Sequence, residues 1–143
     1  MIRLFLDTNV VMDVLLRREP FFLAAANIFA LSAAKEIELY AAPMTYATAS
    51  YLIGKKDPSN VKPLLADLRK LSHVTLACEE TIDKALDSIF EDYEDALQYF
   101  SASTHDIDYI ITRNKKDFQP SQIEVLTPVE FIEHYTLLDK EAK

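Results

Sequence analysis

Short apolar runs alternate with amphipathic stretches along the chain, and this alternation predicts an α/β fold. The runs at residues 2–6, 37–42, 73–77, 108–112 and 124–126 have the composition of buried strands. The stretches between them place apolar residues at i, i+3 and i+4, as amphipathic helices do. Because parallel strands need crossover connections, this order indicates a three-layer α/β/α sandwich with a central parallel sheet of about five strands.

Several start and stop residues bound the predicted helices. Thr8 or Asn9 can cap a first helix that begins at Val10. Gly54 stands where a third helix, residues 44–53, would need a left-handed C-cap. The other helices are expected from about residue 20 to 32, from Asn60 to Leu71, over 81–90 and 94–103, and from Pro128. The chain is expected to form a single domain over residues 1–138, followed by a frayed charged tail at 139–143.

Glycine, cysteine and hydropathy exclude several classes of protein. With one glycine in 143 residues, the chain cannot form the glycine-rich loops that bind phosphates, and it can form few tight hairpin turns. The lone Cys78 cannot form an internal disulfide, and no apolar stretch approaches the roughly 20 residues of a membrane span. We therefore expect a cytoplasmic protein that does not enter a membrane.

The net charge of −8, from 15 basic and 23 acidic residues, limits how the chain could bind nucleic acid. A protein that binds nucleic acid only by neutralising phosphates with lysine and arginine needs a net positive charge. A nucleic-acid function would therefore need a metal cation recruited by carboxylates, a local basic patch or a basic partner. The composition leaves all three alternatives open.

Acidic and polar side chains follow the predicted strands at the edge where α/β proteins bind ligands. Asp7 ends the first strand, residues 112–114 end the fourth, and Asp92 and Asp95 share one face if they begin a helix. Clustered oxygen ligands suit Mg²⁺ or Mn²⁺. Each residue also has an ordinary structural interpretation, since an Asp before a helix is more often a cap than a ligand, and Asp92 followed by Asp95 is typical of a capped helix start.

Taken together, three segments resemble the PIN-domain nucleases. They are LDTNVVMD from Leu6, DYEDALQ from Asp92 and DYIITRNKKDF from Asp108. The resemblance implies strand order 3-2-1-4-5, a carboxylate cluster that binds Mg²⁺ or Mn²⁺, and cleavage of RNA. Many small bacterial members resemble toxins of toxin–antitoxin pairs, and homodimers are common among them. An antitoxin partner and a homodimer are therefore expected here.

The resemblance also implies roles for individual residues. Asp7 and Asp95 match two of the family's acids and would hold the metal, with Asn114 as a third catalytic residue that orients water or phosphate. Two positions depart from the pattern, since Thr48 stands where a Glu is usual and Asn114 where an Asp is usual. The remaining assignments are Asp92, Asp117 and Asp13 as additional site acids, Thr8, Asn9 and Thr112 as residues that orient Asp7, and Arg113, Lys115 and Lys116 as RNA contacts. An ordinary solvated loop is an equal alternative for this basic triplet.

Three functions compete at this stage. The first is a metal-dependent endoribonuclease that hydrolyses RNA phosphodiester bonds and acts as the toxin of a toxin–antitoxin pair. The second is a catalytically degenerate PIN-like module that binds RNA or a protein partner, because Thr48 and Asn114 lack the expected charge. The third is phosphotransfer through Asp7, which the sequence disfavours because Asn9 stands where the corresponding phosphatases have a second Asp.

Overall fold

The computed structural model describes residues 1–142 and has a five-stranded parallel sheet at its centre. The strand order is β3-β2-β1-β4-β5, and every neighbouring pair is parallel. The strands are β1 (Ile2–Leu6), β2 (Ile37–Ala41), β3 (Ser72–Val74), β4 (Tyr109–Ile111) and β5 (Glu124–Leu126). The predicted sandwich and its order 3-2-1-4-5 are both confirmed.

Helical crossovers cover the sheet and join its strands. They are α1 (Thr8–Leu15), α2 (Phe22–Ala33), α3 (Pro43–Lys56), α4 (Val61–Leu71), α5 (Glu79–Leu86), α6 (Tyr93–Ala102) and α7 (Pro128–Ala142), with 3-10 turns at Pro58–Asn60 and Lys115–Phe118. Within residues 1–142, none of these helices is both long and apolar enough to cross a membrane.

The middle strand, β1, determines where the functional residues can lie. Leu4, Phe5 and Leu6 have no exposed surface, because Leu4 and Leu6 pack into the core on one face of the sheet and Phe5 into the core on the other. The strand then ends at Asp7, whose N–H donates to the carbonyl of Ile111 in β4 (2.9 Å). Asp7 is thereby fixed at the carboxyl edge of the sheet, beside the end of the neighbouring strand.

The first helix begins earlier than its sequence predicted. It starts at Thr8 rather than Val10, and Asp7, not Thr8 or Asn9, occupies the N-cap position. No side chain caps this end of α1. The cap residues that the sequence offered are engaged in other contacts, described below.

Other boundaries also differ from the predicted ones. Gly54 lies inside α3 without a positive φ, because the helix continues through Lys56 and ends where Asp57 becomes extended before Pro58. Helix α5 covers Glu79–Leu86 rather than 81–90. The predicted tail from residue 139 belongs to α7 as far as Ala142, since Lys140, Glu141 and Ala142 all favour helix, and Lys143 lies outside the described residues.

Candidate active site

Asp7 is a buried acid whose side chain is held at both oxygens. It is 6% exposed. Its Oδ1 accepts a hydrogen bond from Nε2 of Gln98 (3.0 Å), and its Oδ2 accepts one from Oγ1 of Thr112 (2.8 Å). Asp7 therefore stands at a cap position without acting as a cap. Its carboxylate is oriented by neutral donors from α6 and from the end of β4.

Burial is the main influence on the charge of Asp7. Removal from water raises the pKa of the Asp7 carboxyl, and the nearby Asp117 raises it further. The hydrogen bonds from Gln98 and Thr112 oppose this effect, because they stabilise the ionised form. The site thus holds a carboxylate in poorly hydrated surroundings with neutral partners, where a cation would be strongly attracted.

Asp95 is the second acid, in the first turn of α6. Its own N–H donates to Oδ1 of Asp92 (3.0 Å), so Asp92 is the side-chain cap of this helix. Burial and the negative charges of Asp92, Asp7 and Asp117 raise the pKa of Asp95 to about 7. Burial is the largest cause and the neighbouring acids add to it, so the ionised form of Asp95 is disfavoured at this edge of the sheet.

Asp117 and Asn114 complete the acidic cluster from the segment after β4. The amide Nδ2 of Asn114 donates to Oδ1 of Asp117 (3.2 Å), and the N–H of Asn114 donates to Oγ1 of Thr112 (3.2 Å). Both residues line a groove of about 1040 Å³ together with Ile89, Glu91, Asp92, Asp95, Lys116, Gln119 and Pro120. Asp117 therefore supplies negative charge three residues beyond the position where the sequence pattern places an acid.

The acidic cluster fits a divalent ion that keeps much of its own water. Within residues 1–142, no three Asp, Glu, His or Cys side chains converge into a complete metal cage. Mg²⁺ does not require one, since it is usually bound by one or two carboxylates and retains several waters. Asp117 raises the pKa of both Asp7 and Asp95, and Asp7 also raises the pKa of Asp95, so these charges lie close enough to repel one another. A bound cation would relieve that repulsion.

Asp13 does not join this cluster, although the sequence made it a candidate. Its side chain has no exposed surface and lies between two arginines, with Oδ1 3.0 Å from Nε of Arg18 and Oδ2 3.0 Å from Nε of Arg113. The guanidinium of Arg113 also lies 4.0 Å from the centre of the Phe21 ring. Asp13 is occupied by a buried ion pair, which links α1 to the segment after β4.

The three basic residues Arg113, Lys115 and Lys116 lie in three different environments. Arg113 is engaged by Asp13 and Phe21, and Lys115 pairs with Glu130 of α7 (3.2 Å). Lys116 lines the groove. One of the three predicted RNA contacts therefore faces the acidic cluster, and the RNA role of all three stays a prediction.

The residues expected to orient Asp7 are arranged differently from the prediction. Thr112 bonds to the carboxylate, whereas Thr8 bonds to Gln98 and Thr45, and Asn9 accepts hydrogen bonds from Arg18 (3.2 and 3.4 Å). Sequence reasoning missed Gln98. One signal could have revealed it, because Gln98 follows Asp95 by three residues and so shares its helix face.

Helix α3 places a threonine hydroxyl beside the start of α1. Oγ1 of Thr45 lies 2.8 Å from Oγ1 of Thr8, and Thr45 is fully buried. Thr48 is one turn further along the same face of α3. Thr48 occupies the position where the sequence pattern expects an acid. It follows Thr45, which contacts the start of α1, by three residues, and it contributes no charge to the site.

Known proteins resemble the chain in sequence. The family model described as PIN domain matches residues 3–116. The Ribonuclease VapC1 of Aquifex aeolicus (strain VF5) is 26% identical over 144 residues, which cover 95% of this chain and 97% of the relative.

Solved structures resemble it in fold. A toxin-antitoxin complex from Klebsiella pneumoniae matches with a TM-score of 0.64 and 20% identity, over 87% of this chain and 96% of the other. VapBC2 from Rickettsia felis, bound to a DNA fragment from its promoter, matches with a TM-score of 0.64 and 14% identity, over 88% and 98%. With four fifths of its length matched by the family model and the expected strand order, the chain belongs to the PIN domain family.

Proposed function

We propose that the chain is a metal-dependent endoribonuclease that hydrolyses RNA phosphodiester bonds. The observation that carries the proposal is the cluster of acids at the carboxyl edge of the sheet, where burial and neighbouring negative charges raise the pKa of Asp95 to about 7. Burying acids beside one another is unfavourable unless a cation or a proton compensates them. The relationship to a protein named as a ribonuclease supports RNA as the substrate.

In this proposal Asp7 and Asp95 hold Mg²⁺ or Mn²⁺, and Asp117 adds a third carboxylate from the groove wall. The bound ion would lower the pKa of a water molecule and neutralise charge on the phosphate. Gln98 and Thr112 keep the Asp7 carboxylate in place, and Asn114 orients Asp117. Because the pKa of Asp95 is raised to about 7, binding of a cation by this carboxylate would be coupled to release of its proton near neutral pH.

RNA would enter through the groove that Asp95, Asn114 and Asp117 line. Lys116 is the cation on its wall, and it would contact a phosphate next to the scissile bond. The overall charge of −8 opposes RNA binding elsewhere, so attraction would be confined to the metal and its basic neighbours. This arrangement favours short or single-stranded contacts over extended non-specific binding.

We also infer that the chain works in the cytoplasm, as a homodimer, with an antitoxin partner that neutralises it. The names of its structural relatives include toxin-antitoxin complexes, which supports this inference. If the inference holds, expression of the chain alone arrests growth in its host. Co-expression of the gene adjacent to its own restores growth, whereas failure of any neighbouring gene to do so would contradict an antitoxin partner.

The proposal is tested by incubating purified protein with RNA in the presence of Mg²⁺ or Mn²⁺ and, separately, with a chelator. Cleavage should require the ion and be lost in Asp7→Asn and in Asp95→Asn. Asp83→Asn, which changes an exposed acid of α5, is the matched control and should cleave as the wild type does. Cleavage that persists in both site variants would overturn the proposed function.

A second function, metal-free binding of RNA or a protein partner, is favoured by one observation. Within residues 1–142 the acids do not form a group of three able to hold an ion by themselves. Calorimetry with Mn²⁺ separates the two functions. Binding that disappears in Asp7→Ala supports the nuclease, and the absence of any binding by the wild type supports the non-catalytic module.

A further inference from the structure

Gln98 is a buried amide that donates a hydrogen bond to Asp7 from α6, the helix that also carries Asp95. It is 2% exposed, and it lies one helical turn after Asp95. We propose that Gln98 is a positioning residue that fixes the Asp7 carboxylate in the orientation needed to bind the metal ion. This inference rests on the proposed nuclease function and deepens it.

The hydrogen bonds around Gln98 define how its amide is oriented. The backbone N–H of Thr8 lies 3.0 Å from Oε1, and the Thr8 hydroxyl lies 3.2 Å from the same atom. A backbone N–H can only donate, so the amide oxygen must face Thr8. The amide nitrogen then has to face Oδ1 of Asp7, 3.0 Å away, where it can only donate.

The two donors on Asp7 come from different elements and fix the plane of its carboxylate. Gln98 of α6 donates to Oδ1, and Thr112, at the end of β4, donates to Oδ2. The terminal torsion of aspartate is broad, so without such donors the carboxylate would rotate. Each carboxylate oxygen can accept more than one hydrogen bond or metal contact, which leaves capacity on both atoms for a cation.

Gln98 also couples the position of Asp7 to that of Asp95. Both Gln98 and Asp95 lie on one face of α6, and Gln98 reaches from that helix to Asp7 and to the first residue of α1. A shift of α6 would therefore move Asp95 and the donor on Asp7 together. The amide keeps the separation of the two acids constant, which is what an ion bound by both of them requires.

A neutral side chain is suited to this task. A lysine or arginine in place of Gln98 would itself neutralise Asp7, and the site would then lose its attraction for a cation. A methionine would fill similar space but leave Oδ1 of Asp7 without its donor and the buried N–H of Thr8 without its acceptor. The amide satisfies both buried groups and leaves the negative charge of Asp7 unchanged.

The test compares Mn²⁺ affinity, measured by calorimetry, among the wild type, Gln98→Met and Gln98→Asn. Gln98→Asn keeps an amide, but its side chain is too short to reach both Asp7 and Thr8. This variant tests the proposal if Gln98→Met does not fold. The matched control is Ser101→Ala, which removes another buried polar group of α6, 1% exposed and 2.9 Å from the hydroxyl of Thr75. Thermal unfolding of each variant reports the purely structural effect.

We expect both Gln98 variants to weaken Mn²⁺ binding by roughly tenfold or more, as loss of a partner behind a metal ligand usually does. Their rate of RNA cleavage should fall at a subsaturating Mn²⁺ concentration, because less of the protein carries the ion, and should recover as Mn²⁺ is raised. Ser101→Ala should lower stability but leave Mn²⁺ affinity at the wild-type value.

The Gln98 inference is overturned if its variants bind Mn²⁺ within twofold of the wild type, or if Ser101→Ala weakens binding equally, since loosening of α6 would then be the cause. In either case a wild type that binds Mn²⁺ and cleaves RNA leaves the proposed function intact. A wild type that binds no Mn²⁺ overturns the proposed function and this inference with it.

Discussion

At the scale of single residues, Asp95 shows how a carboxylate placed beside other acids lowers the stability of the metal-free protein. Its pKa of about 7 in the folded protein lies above the ordinary value of 3.8, so the folded state binds a proton more tightly than the unfolded chain. The ionised carboxylate therefore lowers stability. This penalty is complete above about pH 7, decreases as the pH falls through 7, and disappears near pH 4.

Asp95→Asn should consequently stabilise the metal-free protein at pH 8 while abolishing activity. We expect a gain in unfolding free energy of about 1–2 kcal/mol, after allowance for solvent screening of this partly exposed group. Thermal unfolding at pH 8 and pH 5 measures the effect. The gain should be smaller at pH 5, whereas an equal or larger gain at pH 5 would contradict the assignment of the raised pKa.

Asp117, rather than Asn114, should supply the third charge of the site. Asp117 raises the pKa of both Asp7 and Asp95, whereas Asn114 is neutral and donates its amide to Asp117. Asp117→Asn should weaken Mn²⁺ binding by about tenfold or more, and Asn114→Ala should weaken it less, because charge governs affinity for hard cations. Calorimetry on both variants decides between them, and the reverse order would make Asn114 the ligand.

Some of these residues could be found from the sequence and others could not. Asp7 and Thr112 follow strands, and Asp95 begins a helix, so the topology alone brings them to one edge of the sheet. Asp13 and Arg113 also looked like site residues. Their pairing depends on how α1 packs beside the segment after β4, which no local pattern in the sequence specifies.

At the scale of elements, the ends of α3 and α7 show how helices extend beyond their predicted limits. Gly54 was expected to end α3 but lies within it, because nothing at that position requires a left-handed residue. Thr127 and Glu130 form the reciprocal bonds of a capping box at the start of α7 (3.1 and 2.9 Å), as the Thr-Pro sequence suggested for that terminus. In these two helices the predicted starts were accurate, whereas both predicted ends came too early.

Gly54→Ala should therefore stabilise the protein. A Cβ at this position would lie 3.7 Å from Cγ2 of Val61, which is ordinary van der Waals contact. Replacing a glycine inside a helix by alanine is worth about 0.5–1 kcal/mol. Urea unfolding should show a gain of this size with an unchanged m-value, and a loss of stability would mean that α3 ends before Gly54.

At the scale of the whole molecule, the alternation of strands and helices was sufficient to predict the fold class. The scarcity of glycine left few tight hairpin turns available and so favoured helical crossovers between parallel strands, which the sheet confirms. The strand order came from the resemblance to a family. The contacts that prepare the site, such as those of Gln98, arise from packing between α6 and α1 and could not be derived from periodicity.

The charge of the whole molecule connects the fold to its proposed chemistry. A chain of net charge −8 that concentrates acids around Asp7 and Asp95 is expected to repel RNA unless a cation is present. Under the proposed function, both catalysis and RNA binding at this groove would therefore depend on a bound metal ion.

Metal binding at this site is tested by diffraction from crystals grown with Mn²⁺, recorded at an energy where manganese scatters anomalously. We expect an anomalous peak in contact with the carboxylates of Asp7 and Asp95, with Asp117 in contact directly or through water. The peak should be absent from crystals of Asp7→Asn. A peak held by other residues, or no peak at this edge of the sheet at saturating Mn²⁺, would show that Asp7 and Asp95 do not bind the metal.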